Sequence, residues 1–264
     1  MNILQTIAAK KRTEVANAKI LVPVSVLEQS PLYDRATVSL VGELKKPGGS
    51  GIIAEFKRQS PSRGIINSHS MPEEVTTGYI QAGAIALSVL TDNKFFGGSN
   101  NDLIRVRKVN SCPILRKDFV VDSYQIIEAK SLGADVILLI AAILTPEETL
   151  TLATLARSLG LETILEVHGV DELNHLNDQI SILGVNNRNL GDFTVNLENS
   201  ISMADLIPEG ITAIAESGIH DPADIKYLRQ AGYDGFLIGE RFMSTKNPAI
   251  ACLSFITGLE QIES

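Results

Sequence analysis

Four charged side chains stand at the ends of otherwise apolar runs, and they are of the types that move protons. Glu55 and Lys57 close the run of residues 51–57. Two apart on a strand, they share a face, while Ala54 and Phe56 point the other way. Such a pair is costly to desolvate, so it is either a structural ion pair or a working one. Lys117 closes the run of residues 112–119. A lysine at an apolar strand end is suited to a shifted pKa, and hence to acid–base or Schiff-base chemistry. Glu166, near the end of residues 162–167, is a carboxylate that can be tuned likewise. Any one alone is compatible with a satisfied core charge, but the set on a single rim favours catalysis. Asn186, Asn187 and Arg188 follow a further run with donors for a hydroxyl or carboxylate. Asp118 alternates away from Lys117 and is expected to pair outside the core.

A second group of residues suits an anion. Two late runs end Glu216-Ser217-Gly218 and Ile238-Gly239-Glu240, where glycines let the backbone approach a phosphate closely. The polar loop from Arg58 to Gly64, containing Ser60 and Pro61, is suited to covering such a ligand. Phe95 and Phe96 follow the second run, where an aromatic can wall an apolar pocket. The cluster at residues 45–51 lacks the Lys-Ser/Thr ending of a P-loop and reads as a plain loop. His69, His168, His175 and His220 have no metal-ligand spacing, and His220 beside a helix cap reads as structural. No Ser-His-Asp or Cys-His set is apparent.

Eight runs must position these residues: 51–57, 84–90, 112–119, 135–141, 162–167, 181–186, 211–217 and 234–240. They are apolar enough to be covered on both faces, as parallel strands are. Helical segments separate them. Thr145-Pro146-Glu147-Glu148 and Asp221-Pro222-Ala223-Asp224 are helix starts, and Gly83, Gly133 and Gly232 mark helix ends. Eight βα units in 264 residues predict a (β/α)₈ TIM barrel of α/β class. An extra amphipathic N-terminal helix over residues 2–19 precedes it, with Ile3, Ile7, Val15 and Ala18 among its apolar positions. The reading is one domain, 1–264, with residues 1–50 a helical extension and 51–264 the barrel.

Composition narrows the partners. A net charge of −8 without a basic run argues against nucleic acid, and the longest apolar run, residues 136–144, is too short to span a bilayer. Two distant cysteines, Cys112 and Cys252, and a charged N-terminus point to the reducing cytoplasm. The expected partner is a small phosphorylated molecule, bound by a monomer or weak homo-oligomer.

The segments IIAEFKRQSPSRG, PILRKDF, GADVILLI, GVNNRNL, AESGI and FLIGE closely resemble indole-3-glycerol phosphate synthase, over nearly the whole chain. The resemblance implies ring closure, decarboxylation and dehydration of 1-(2-carboxyphenylamino)-1-deoxyribulose 5-phosphate, with neither cofactor nor metal. It implies Glu55, Lys57, Lys117, Glu166 and Asn186 as catalytic residues, with Arg188 a substrate or phosphate contact. It places substrate or phosphate contacts at Ser60, Pro61, Glu216, Ser217, Gly218 and Gly239, and an apolar wall at Phe96, Phe119, Leu138, Leu190 and Ile238. Two departures stand out. Some members set a tryptophan of the N-terminal helix against the ligand, and this chain has none, which leaves open whether that helix contributes to substrate binding. Some also have serine where Glu240 stands, and a carboxylate beside phosphate is expected to turn away. The alternatives are another phosphate-binding barrel, of the phosphoribosylanthranilate isomerase or Schiff-base aldolase kind, or a non-catalytic ligand-sensing barrel.

Overall fold

The structure, a computed structural model, describes residues 3–189, 191 and 193–263. All eight apolar runs form strands: β1 (Ile52–Phe56), β2 (Ala86–Leu90), β3 (Ile114–Lys117), β4 (Val136–Ile140), β5 (Glu162–Val167), β6 (Ile182–Asn186), β7 (Thr212–Glu216) and β8 (Gly235–Ile238). Each pairs in parallel with its neighbours in sequence, and β8 closes on β1 to complete a TIM barrel. Along each strand the side chains alternate between two apolar layers. Ile53, Leu115, Leu138, Ile164, Ile214 and Leu237 fill the lumen. Ile52, Ile114, Leu139, Leu165, Ala213 and Phe236 pack outward against the helices. Covered on both faces, the strands carry the near-continuous apolar runs of parallel sheet.

Seven strands lead to an α-helix. The expected starts hold: Thr145 and Asp221 both form capping boxes, each with proline in the first helical turn. The segment after β5 differs, because only a 3₁₀ turn, Val170–His175, follows that strand. The loop after β1 also departs from an irregular one. Gln59–Ser60 and Gly64–Ile65 pair as a small antiparallel hairpin. Arg58 pins its base, donating to both carboxylate oxygens of Asp102 at 2.5 and 2.9 Å.

The extra helix α1 (Ile3–Leu21) runs from the mouth of the barrel along its side. Lys11, buried beneath it, meets Asp92 and Asp118, both at 2.9 Å. Asp92 also caps the short helix Asn93–Phe96, so one ammonium joins α1 to the loops after β2 and β3. Residues 20–50, without clear periodicity, have a definite task at the opposite end. The carboxylate of Glu162 receives the hydroxyl of Ser39 and the N–H groups of Leu40 and Val41, fixing the short helix Leu40–Leu44. Leu40 and Leu44 of that helix then plug the lumen.

Asp135 organises the same end. Fully buried, it accepts from Arg35 at 2.6 Å, Arg107 at 2.7 Å, Val38 N at 2.8 Å and Ile114 N at 2.9 Å. Removing one partner of such a cluster strands the others without counter-charge. Asp135→Ala is therefore expected to cost about 3–5 kcal/mol in urea unfolding. A loss below about 1 kcal/mol, the scale of a surface pair, would contradict this account.

Candidate active site

The carboxyl ends of the strands open into a cavity of about 930 Å³, mouth included. Its floor is charged because each strand contributes the side chain that faces inward as the chain leaves the barrel. Lys57 Nζ lies 2.8 Å from Glu55 Oε1. Lys117 Nζ lies 3.1 Å from Glu166 Oε2 and also pairs closely with Glu216. Ser88, on β2, donates to Glu55 at 3.4 Å. Two glycines clear space for these carboxylates. A Cβ at Gly184 would stand 2.8 Å from Glu216 Oε1, and one at Gly239 would stand 2.6 Å from Glu55 Oε1.

Burial and neighbouring charges set the ionisation of the floor. Burial alone would lower Lys117, but Glu216, Glu166 and Glu55 outweigh it and hold the side chain as ammonium. Burial would raise Glu166, yet Lys117 and His168 keep it well below the usual carboxylate range. Burial raises Glu216 to about 7, with Glu166 and Glu55 adding to the effect against the pull of Lys117. One lysine thus serves two carboxylates, and Glu216 is the one that holds a proton most readily.

The remaining walls are apolar. Phe96 and Phe119 stand with ring centroids 5.8 Å apart, tilted by 38°. Leu138, Ile140 and Leu90 continue that side, and Ser60 and Pro61 border the cavity from the hairpin. α1 contributes as well, since Ile3, Leu4 and Ile7 line the cavity. In a chain without tryptophan, aliphatic side chains occupy that face of the helix.

A second cleft adjoins the first and shares Lys57, Ser62, Arg188, Ser217 and Glu240 with it. Gly218 and Gly239 line this cleft, as their place after β7 and β8 implies. Ser217 and Gly218 both have positive φ, 67° and 80°. Asn187 supports that turn by donating to Ser217 O at 3.2 Å, so it faces away from the cavity. Asn186 faces into the cavity and accepts from Arg188 N at 3.0 Å. Glu240 does not turn away. Its carboxylate borders both spaces and is neutralised by Arg63 at 2.8 Å and Arg188 at 3.5 Å.

Two other positions are placed more finely by the structure than by the sequence. Glu216 lines the main cavity and pairs with Lys117, but does not border the phosphate-type cleft, because it points into the lumen beside Asn186 and Leu237. Ile238 packs outward in the helix-facing core and touches only the second cleft, whereas Leu237 lines the main cavity. The period-two alternation along β8 makes that choice. Leu190 lies outside the described residues. Asp118 behaves as expected, pairing with Lys11 and Arg116 away from Lys117. Phe193 and His168 were missed: Phe193 is joined to the site only by folding, although His168 stands two residues after Glu166 on a shared face, and Arg63 belongs to the polar loop expected to cover an anion.

A profile of the indole-3-glycerol phosphate synthase family matches residues 4–254. Indole-3-glycerol phosphate synthase of Bacteroides thetaiotaomicron is 46% identical over 259 residues, covering 98% of this chain and 99% of that protein. The Polaromonas sp. protein of the same name is 40% identical over 263 residues, covering 98% and 99%. Among solved structures, tryptophan synthase subunit alpha from Legionella pneumophila superposes with a TM-score of 0.60 at 15% identity. That match covers 84% of this chain and 95% of the other. Thiamine phosphate pyrophosphorylase from Pyrococcus furiosus also gives 0.60 at 15% identity, covering 86% and 100%. At that identity the two structures speak for the barrel alone. The sequence matches go further: the chain belongs to the indole-3-glycerol phosphate synthase family.

Proposed function

We propose that the rim converts 1-(2-carboxyphenylamino)-1-deoxyribulose 5-phosphate to indole-3-glycerol phosphate, carbon dioxide and water, with Lys117 as the general acid of ring closure. The observation that carries this reading is one buried ammonium, held charged by Glu166 and Glu216, beneath an aromatic slot. Ring closure moves electrons onto a carbonyl oxygen, and a positioned ammonium lowers that barrier by donating to it. A lysine held protonated is a poor amine nucleophile, which weighs against the Schiff-base alternative.

Phe96 and Phe119 grip the benzoate ring, and Lys57 holds its carboxylate. Ser217, Gly218 and Gly239 receive the phosphate at the other end, with Arg188 and Arg63 as its cations and Ser60 and Pro61 closing the side. Held at both ends, the flexible substrate folds back so that the ring carbon bearing the carboxylate attacks the carbonyl carbon. Loss of carbon dioxide restores aromaticity. Lys57 then protonates the departing hydroxyl as a base takes a proton from the adjacent carbon. Glu166, kept ionised by Lys117 and His168, serves as a fixed anion that stabilises the cationic ring. That leaves Glu55, beside Lys57, as the base. Asn186 orients the reacting hydroxyl.

The chain works as one barrel with its N-terminal extension, as a monomer or weak homo-oligomer in the reducing cytoplasm. Burial raises the Cys112 and Cys252 thiols to about 11 and 12, which keeps them inert there. Among the described residues no helix is long and apolar enough to cross a membrane.

Mixing the protein with the carboxyphenylamino-deoxyribulose phosphate and following indole fluorescence tests the activity against a background free of tryptophan. Lys117→Ala is expected to lower kcat by about 10²–10⁴-fold, the usual worth of a general acid, with a far smaller change in KM. Near-normal turnover in that variant would remove Lys117 from the role. Glu55→Gln is expected to release carbon dioxide in a single turnover without forming the indole chromophore. Simultaneous loss of both signals, with the substrate still bound, would instead place Glu55 at or before ring closure.

A further inference from the structure

His168 is half-buried beside the reacting floor and takes no part in any bond-making step. It follows β5 directly, with Nε2 3.3 Å from Glu166 Oε1 and Nδ1 3.3 Å from Glu172 Oε2. The Nε2 contact is electrostatic and lacks hydrogen-bond alignment. Glu172 is itself fixed, because its Oε2 accepts the backbone N–H of His168 at 2.7 Å. The 3₁₀ turn that replaces a full helix after β5 is what brings Glu172 there. Asn199 completes the mounting by donating to His168 O at 3.3 Å and to Asn186 O at 3.1 Å.

We propose that His168 is a positioning residue: as an imidazolium clamped by Glu172, it holds Glu166 ionised, with one oxygen kept for Lys117. A neutral imidazole carries one N–H and one bare lone pair. Here both ring nitrogens face carboxylate oxygens, so the neutral form would set a lone pair against an anion. The cation suits both sides. It also divides Glu166, whose Oε1 meets His168 while Oε2 meets Lys117. This inference rests on the proposed part of Glu166 as a fixed anion.

The electrostatics agree in sign. Burial would lower His168, but Glu166 and Glu172 outweigh it and raise it to about 9. The charged groups around it are Glu166 on β5, Glu172 on the 3₁₀ turn, and Lys117 and Glu216 across the floor. Arg188 lines the same outer cleft as His168. The imidazolium therefore persists through neutral pH and is lost as pH rises past about 9, which predicts falling turnover on the alkaline side.

The test pairs nitrogen-15 NMR of histidine-labelled protein with pH profiles of kcat and KM. His168→Gln assigns the resonance among the four histidines. In the wild-type protein that ring is expected to titrate near 9, with kcat falling over the same range. In His168→Gln that alkaline limb disappears, and kcat at neutral pH drops roughly tenfold, the scale on which supporting partners act. KM is expected to change by no more than about twofold, as for a group acting on the chemical step. Glu172→Gln guards against a folding defect in that variant: it must move both the ring titration and the kcat limb down by about one unit or more. A ring that titrates near about 6.5, the value of a free imidazole, overturns the proposal. So does an alkaline limb retained in His168→Gln. If the wild-type protein forms no indole, the proposed activity fails, while the ring titration still judges the clamp.

Discussion

A lysine ammonium buried at the bottom of a pocket is tolerable only while anions surround it, and much of the rim follows from meeting that condition at Lys117. Glu166 and Glu216 supply the counter-charge from strands on the far side of the lumen. Two carboxylates around one cation leave an excess of negative charge, which His168 offsets from one flank, while Lys57 answers the third carboxylate, Glu55. Gly184 and Gly239 are the steric side of the same requirement, since a β-carbon at either would displace a floor carboxylate. Burying a charge is expensive in proportion to how completely water is removed. The aromatic and aliphatic walls that exclude water therefore raise both the cost of the cluster and the strength of any bond it makes to a developing oxyanion.

The barrel was readable because doubly covered parallel strands are apolar at nearly every position, and eight such runs leave few other architectures. Glu55, Lys57, Lys117 and Glu166 were readable for the complementary reason: a charge interrupting such a run needs an explanation. Alternation also separated Lys117 from Asp118 correctly. It held the answer for β8 too, where Leu237 faces inward, although the motif drew attention to Ile238. What stayed hidden depends on pairings between distant segments. Nothing near Glu216 shows that it meets Lys117, 99 residues away. Glu240 looked hostile to an anion because the two arginines that neutralise it, Arg63 and Arg188, come from other loops. Residues 20–50 have no strong period because they act as a cap fixed by single contacts, such as that of Ser39 with Glu162.

The two ends of the barrel divide the labour. One carries the cavity and the charged floor. The other is sealed by Leu40 and Leu44 and bound together at Asp135 and Glu162. Both ends are served by a single N-terminal segment, which lines the mouth with Leu4 and Ile7, meets the loops through Lys11 and closes the base.

That continuity constrains the order in which the molecule can assemble. The segment is made before its docking partners, which are Asp92, Asp118, Asp135 and Glu162. About a third of the chain must therefore be synthesised before the first of these partners exists, and more than half before the last does. β1 waits longer still, because its second neighbour is β8. Such long-range closure slows folding, and until it is complete the apolar face of α1 and both edges of the growing sheet stay open to water, to chaperones and to one another.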